Sequence, residues 1–182
     1  MNSRDLQASV AAVAGLAFLI AMVVIGALPE QRQLVKFEAR GVMKLQPDLI
    51  SRVELHRAKG TAVVLLRAAD GHWTTERDGT LSAELSGKLS LAVQFMNTAG
   101  PIRIIEAAAL QGADSRDFGL DPPHLSVILY QGTQAVIGAR FGAHNPEDTA
   151  QYMMLDGQQD VILMSRFVGQ EWESVAGEVL PK

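Results

Sequence analysis

The sequence predicts an α+β protein in which a single N-terminal transmembrane helix precedes an antiparallel, β-rich domain of two lobes. Three observations lead to this prediction. An uncharged apolar run occupies residues 8–28. Beyond it, short β-branched or alternating segments are separated by tight glycine-containing turns, which favours antiparallel meanders over parallel crossovers. Two stretches with apolar residues at helical spacing complete the pattern.

The composition of the chain limits the classes of function that it can have. The 182 residues provide for one ordinary domain, and 48% apolar with 20% charged residues is typical of a folded chain. A net charge of -4 and an aromatic content of 5% argue against nucleic acid as a partner. The chain has no cysteine, which excludes disulfides, thiolate metal sites and cysteine nucleophiles.

Residues 8–28 have the length of a membrane span. At about 1.5 Å per residue a helix of this run extends roughly 31 Å, close to the thickness of a hydrocarbon core. The alternative is a cleaved signal peptide, but the run is longer than a typical signal core and residues 1–7 contain only one cation, Arg4. Cleavage after Ala27 would also place Ile25 where a small residue is usual. We expect a retained anchor in the lipid bilayer with residues 1–7 as a short tail.

One face of this predicted helix carries small residues. Ala8, Ala12 and Gly15 are spaced i, i+4, i+7, and Ala11 forms a second small pair with Gly15. Such a face lets another membrane helix approach closely, although alanine is also simply common in membrane helices. The face is therefore a candidate helix-packing surface.

Residues 29–47 form a predicted juxtamembrane connector. Its four cations would place it in the cytoplasm by charge counting, but long domains are translocated largely regardless of such charges. Charge alone therefore leaves the membrane orientation open.

The β-rich domain is predicted over residues 48–180. In the first lobe, residues 48–106, a helix with Thr80 as N-cap follows three strands and ends at Gly100-Pro101 before a return strand. In the second lobe, residues 124–180, four strands precede a helix. The predicted strands are 50–55, 61–66, 72–75, 102–106, 125–130, 135–141, 151–155 and 161–164, and the helices cover 81–96 and 168–179. Residues 107–123 link the lobes, and the shared order of elements suggests a duplication.

Six segments carry a family resemblance. They are SRVELHR (51–57), DGHW (70–73), the leucine-striped helix, DFGLDPP (117–123), RFGAHNP (140–146) and QYMML (151–155). Over residues 48–180 the chain resembles the bacterial domain-of-unknown-function family numbered 4340. The resemblance implies one N-terminal membrane helix in the bacterial inner membrane, a C-terminal domain in the periplasm, and neighbours of ABC-transporter type related to gliding-motility components. It implies no catalytic residues.

The two most specific motifs are candidate binding loops. Gly119 permits a positive φ, Phe118 and Leu120 can fill the core beneath the loop, and the prolines enforce an extended exit. Both a purely structural role and a shared binding surface agree with these residue types. The candidate residues are Phe118, Gly119, Leu120, Asp121 and Pro122 in the first motif and Phe141, Gly142, Asn145 and Pro146 in the second.

No motif in the chain indicates catalysis or a cofactor. The acidic and histidine residues around the two motifs match no EF-hand or helical zinc spacing, so no metal site is predicted and Asp121 is interpreted as a turn cap. Met153 and Met154 are adjacent in a predicted strand and point to opposite faces, which argues against a copper site. No nucleophile elbow, Walker loop or dinucleotide fingerprint is present. We expect a protein that is not an enzyme.

Two functional hypotheses follow. The leading one is a non-catalytic, membrane-anchored accessory subunit that docks on an integral membrane protein complex, which the resemblance suggests is of ABC-transporter type. The alternative is a periplasmic ligand-, glycan- or lipid-binding module with a cleft between its two β-α lobes.

Overall fold

The computed structural model describes residues 13–22, 40–57, 60, 62–76, 79–110 and 112–180, and it divides the chain into two units at residues 38/39. In the first unit, residues 13–22 are helical (α1). No helix of the described residues is both long and apolar enough to cross a membrane. The rest of the predicted span, with Ala8, Ala11 and Ala12, lies outside the described residues. Gly15 lies in α1, and no described atom comes within 4 Å of the position that its Cβ would take.

The second unit has the α+β architecture that the sequence predicts. All eight predicted strands and both predicted helices are found, and one short strand lies where only a turn was expected. The strands are Arg52–His56 (β1), Val63–Arg67 (β2), Trp73–Thr75 (β3), Gly79–Thr80 (β4), Arg103–Ile105 (β5), Leu125–Gln131 (β6), Gln134–His144 (β7), Ala150–Leu155 (β8) and Val161–Ser165 (β9), and the helices are Ala83–Thr98 (α2) and Arg166–Val179 (α3). Three 3-10 helices cover Pro47–Leu49, Ala107–Leu110 and Ser115–Phe118.

The described strands form one antiparallel sheet in the order β4-β3-β2-β1-β6-β7-β8-β9-β5. Outward from the β1–β6 pair the strands follow chain order on both sides, β1 to β4 and β6 to β9, and a helix follows each set of four. β5, which comes after α2, departs from this symmetry because it crosses to pair with β9 at the far edge. The two predicted lobes share this one sheet. β1 and β6 pair along their length, from Arg52 opposite Tyr130 to His56 opposite Ser126, so the hydrogen bonding runs on from one half into the other.

A single main core lies between the helices and one face of the sheet. Alternate strand residues such as Val53, Val127 and Phe141 meet the apolar stripes of α2 and α3 in one cluster, and Trp73 and Trp172 are fully buried there. Burial of apolar surface shared by both halves explains why they do not separate.

The N-cap of α2 is Ser82 rather than the predicted Thr80. The Ser82 hydroxyl accepts a hydrogen bond from the backbone N–H of Leu85 at 3.1 Å. Thr80 instead belongs to β4 and pairs with Thr74, because β3 continues into a short additional hairpin.

Residues 40–47 belong to the domain, which therefore begins earlier than the predicted residue 48. Backbone N–H groups of Gly41 and Met43 donate to the carbonyl oxygens of Asn97 and Met96, each at 2.8 Å. These are carbonyls of the last turn of α2, which no later helical residue can satisfy. The side chain of Asn97 in turn donates to the backbone oxygens of Met43 and Leu45.

The predicted link of residues 107–123 covers part of the other face of the sheet. Leu120, Met154 and Val161 are buried in a second, smaller cluster there, and Phe118 stacks edge-on against Tyr152 with ring centroids 5.0 Å apart. Met153 belongs to the main core, so the prediction that it and Met154 point to opposite faces is confirmed.

Candidate functional site

The two sequence motifs meet at one end of the sheet, and we call residues 117–124 and 141–146 together the motif rim. A Cβ at Gly142 would lie 2.3 Å from the backbone oxygen of Phe118. A Cβ at Gly119 would lie 2.8 Å from the backbone nitrogen of Ala143. Both contacts are closer than side chains allow, so the absence of a Cβ at these glycines permits the two loops to pack backbone against backbone.

The first loop of the rim is held by its own acidic residues. Asp114 and Asp117 form a reciprocal capping box around the 3-10 helix, and Gly119 ends it with φ of 67°. The hydrogen bonds from Arg116 hold the pKa of the Asp114 carboxyl well below its ordinary value. The interpretation of Asp121 as the cap is wrong, because Asp114 and Asp117 occupy that role and Asp121 is exposed.

The second loop is organised by Asn145. Its Oδ1 accepts hydrogen bonds from the backbone N–H groups of Thr149 and Ala150 at 2.9 and 2.8 Å, and its Nδ2 donates to Glu147 and to the Thr149 hydroxyl. The Asn145 amide thus stabilises the turn by hydrogen bonds, and both its oxygen and its nitrogen are bonded within the loop. Pro146 is exposed at its tip.

The candidate binding residues divide into buried supports and exposed surface. Phe141 and Leu120 are fully buried, Phe118 is half-buried, and Gly142 is covered by the opposite loop. The exposed members are Asp121, Pro122 and Pro146. These last present the most surface to another molecule, while Gly119 and Gly142 also line a groove at the rim.

A groove of about 720 Å³ runs along the rim toward α3. Its walls include Pro122, Ala143 and Ala176, and its charged or titratable side chains are Arg57, His124 and Glu173. The guanidinium of Arg57 has no partner among the described residues, and His124 is exposed. Pro122 and Ala143 belong to the two rim motifs, and Arg57 is the last residue of the SRVELHR segment. Glu173 and Ala176 come from α3, and spacing alone gave no signal for them.

A polar network supports the groove from below. Gln151 is 1% exposed, and its Nε2 donates to the Gly142 carbonyl and to Glu173 Oε1, each at 3.0 Å. Glu173 Oε1 lies 3.7 Å from His144 Nε2. Arg166 donates to His144 Nδ1 at 3.0 Å and also pairs with Asp148. These contacts fix the position of the second loop relative to α3.

Gln151 fits only because residue 169 is glycine. A Cβ at Gly169 would lie 1.6 Å from Gln151 Oε1, in the space where the amide now lies. This oxygen has no hydrogen-bond partner among the described residues. Among the described residues, the Gln151 amide therefore forms hydrogen bonds only through its nitrogen, which donates to the second loop.

The acids and histidines of the rim do not converge. The described residues contain no group of three or more metal-ligating side chains in a suitable arrangement. Asp114 and Asp117 are engaged at their own helix, while His144 and Asp148 pair with Arg166. The arrangement offers a shaped surface with separated charges and is suited to binding.

A second polar cluster, not singled out from the sequence, lies on the face of the sheet away from the helices. Glu54 pairs with Arg52 and accepts a hydrogen bond from the Tyr130 hydroxyl at 2.9 Å, while His56 Nε2 lies 3.8 Å from the same carboxylate. The hydrogen bond to Glu54 raises the pKa of Tyr130 above its ordinary value. In the sequence, the alternation of polar residues along β1 was the signal that could have indicated this cluster.

A further groove of about 530 Å³ lies between the two halves. It is bordered by Val63 and Leu81 of the first half and by Val179 and Leu180 at the end of α3, with the carboxylate of Glu178 beside them. It is a cleft between the halves on the scale of a small apolar ligand.

No family model, no curated protein and no solved structure matches this chain.

Proposed function

We propose that this chain is a non-catalytic accessory subunit that docks on an integral membrane protein complex. Residues 8–28 anchor it in the bacterial inner membrane, and the α+β domain lies in the periplasm. The length of the apolar run and the resemblance of residues 48–180 to the bacterial family numbered 4340 support this placement. The same resemblance favours a complex of ABC-transporter type.

The observation that carries the proposal is the backbone contact between the two motif loops. Their glycines and polar side chains are used to lock the loops together, as Gly142 against Phe118 and Asn145 within its turn show. A locked surface loses little conformational entropy on association, which favours binding of a partner. The exposed Arg57 and His124 at the groove give such a partner polar contact points.

Site-specific photo-crosslinking in intact membranes tests the proposal. A photo-crosslinking amino acid replaces Pro122 or, in a second variant, His124 at the rim; in the control it replaces Thr133, which is exposed in the turn at the other end of β6 and β7. We expect both rim variants to form a discrete adduct with an integral membrane protein, identified by mass spectrometry. Adducts that are equal at Thr133, or no adduct at the rim, would overturn the docking function.

The second candidate function is binding of a small apolar ligand in the groove between the halves. The observation that favours it is the apolar border of Val63, Leu81 and Val179 beside a carboxylate. A bound ligand would be recovered by solvent extraction of the purified full chain and lost in a Leu81→Asp variant. The docking function requires no such molecule, so extraction separates the two candidates.

A further inference from the structure

Exposed apolar side chains lie on α2, at β5 and at the start of α3, and we call Leu91, Ile102, Ile104 and Phe167, with the half-buried Phe95, the edge patch. Ile102 and Ile104 are 57% and 54% exposed, and Phe167 is 46% exposed. Phe95 of α2 and Phe167 of α3 meet edge-on with ring centroids 4.9 Å apart, which joins the two helices within the patch. Large apolar side chains gathered on a surface indicate contact with another apolar phase or protein.

The edge patch adjoins the point where the chain enters the domain. Gly41 donates its backbone N–H to the Asn97 carbonyl at 2.8 Å, and a Cβ at Gly100 would lie 3.4 Å from the Arg40 carbonyl oxygen. The first described residue of the domain, Arg40, thus lies beside the segment that leads into Ile102.

Two cations lie at the same place. Arg40 and Lys44 are exposed, and Lys44 donates to the Gly41 carbonyl at 3.2 Å. Apolar side chains flanked by arginine and lysine are the composition of a surface that lies on anionic lipid headgroups.

The tether limits how far the membrane can be from this point. Only residues 29–39 separate the predicted membrane segment from Arg40, and eleven residues span at most about 40 Å when fully extended. The edge patch lies within this reach, since Arg40 packs beside Gly100, two residues before Ile102.

We infer that the edge patch, with Arg40, rests on the bilayer surface and orients the domain on it. The inference rests on the proposed membrane anchoring and deepens it, because it names the side of the domain that faces lipid. The apolar side chains enter the headgroup region while the Arg40 guanidinium binds lipid phosphates. A second copy pairing along the outer edge of β5 is the rival occupant of the patch.

Single-cysteine labelling of the full chain tests this inference, since the natural sequence contains no cysteine. Ile104→Cys and Phe167→Cys carry an environment-sensitive fluorophore, and Thr133→Cys in the exposed β6–β7 turn is the matched control. Each variant is reconstituted in vesicles of phosphatidylcholine and phosphatidylglycerol. Quenchers attached to the lipid acyl chains and aqueous iodide then report the surroundings of each label.

We expect labels at residues 104 and 167 to be quenched by the lipid-borne quencher and shielded from iodide, and the label at residue 133 to behave in the opposite way. Flotation of the vesicles is measured on the same samples. A chain that floats but whose three labels respond alike overturns the inference and leaves the anchoring intact. A chain that fails to float overturns the anchoring as well. Shielding from iodide without lipid quenching, together with a doubled mass, would assign the patch to a second copy and would likewise overturn the inference.

Discussion

The rim loops and the hairpin turns of the same sheet differ in how they are held. In the hairpins, no described atom lies within 4 Å of the position that a Cβ would take at Gly71 or Gly79 in the first half, or at Gly132 or Gly157 in the second. At the rim, Gly119 and Gly142 each lie against the other loop at distances that exclude a Cβ. The difference shows that the rim is fixed by backbone packing, whereas the hairpin turns project freely from the sheet.

The tryptophans of the two halves differ in their hydrogen bonding. Trp73 of β3 donates its indole N–H to the Ser90 hydroxyl at 3.0 Å, and its backbone N–H is bonded to Ser86. Trp172 of α3 is equally buried, but its indole N–H has no partner among the described residues. The two buried indoles therefore differ in the polar contacts that a substitution would remove.

Gly142→Ala should have the largest effect on this contrast. The new methyl group would lie 2.3 Å from the Phe118 backbone oxygen, and backbone on both sides leaves no flexible side chain to give way. We expect the free energy of unfolding to fall by about 3 kcal/mol, at the upper end for overpacking. Denaturant unfolding followed by tryptophan fluorescence measures the change.

Gly87→Ala is the control in the first half. Gly87 lies exposed inside α2, and no described atom outside the backbone of that helix lies within 4 Å of its Cβ position. Alanine is the better helix former, so this substitution should stabilise the protein by about 1 kcal/mol. Equal stabilities of the two variants would show that the rim glycine is no more constrained than a free one.

The tryptophan pair gives the next largest effect. Trp73→Phe loses a hydrogen bond as well as volume, whereas Trp172→Phe removes a buried N–H that has no partner among the described residues. Since an unsatisfied buried donor is destabilising in itself, we expect Trp73→Phe to be the more destabilising variant by about 2 kcal/mol. Thermal unfolding of both variants checks the order, and a reversed order would mean that the Trp172 N–H is satisfied.

Most of the fold could be predicted because its signals are local. The alternation in β1, the Asp70-Gly71 turn and the stripe from Leu85 to Met96 each act within a few residues. The joining of the two halves into one sheet could not be predicted from the sequence, because β1 and β6 are far apart in the chain and their pairing depends on shared burial. The same holds for residues 40–47, whose place is set by the unsatisfied carbonyls at the end of α2.

The site was predictable only in part, for a related reason. The motifs indicated Gly119 and Gly142 as special, but that each excludes a Cβ because of the other loop is a tertiary relation. Gln151 and Gly169 carried no signal individually, since a buried glutamine beside a helical glycine makes sense only when both are seen together. Sequence therefore located the rim, and the structure was needed to show what holds it.

The smallest effect should come from the ion pair that joins the helices of the two halves. Lys88 of α2 lies 2.9 Å from Glu178 of α3 and 3.0 Å from Glu84, and these hydrogen bonds, Glu178 first, raise the pKa of Lys88 above 10.5. A raised pKa means that the stabilisation is complete below pH 10.5 and is lost as the pH rises through the folded-state value. Lys88→Met should therefore lower Tm slightly at neutral pH and not at strongly alkaline pH, and salt should diminish the difference because the pair is exposed. Glu84→Gln, which leaves the contact between the halves intact, should lower Tm less than Lys88→Met; an equal loss would show that the pair stabilises α2 alone and contributes nothing to joining the halves.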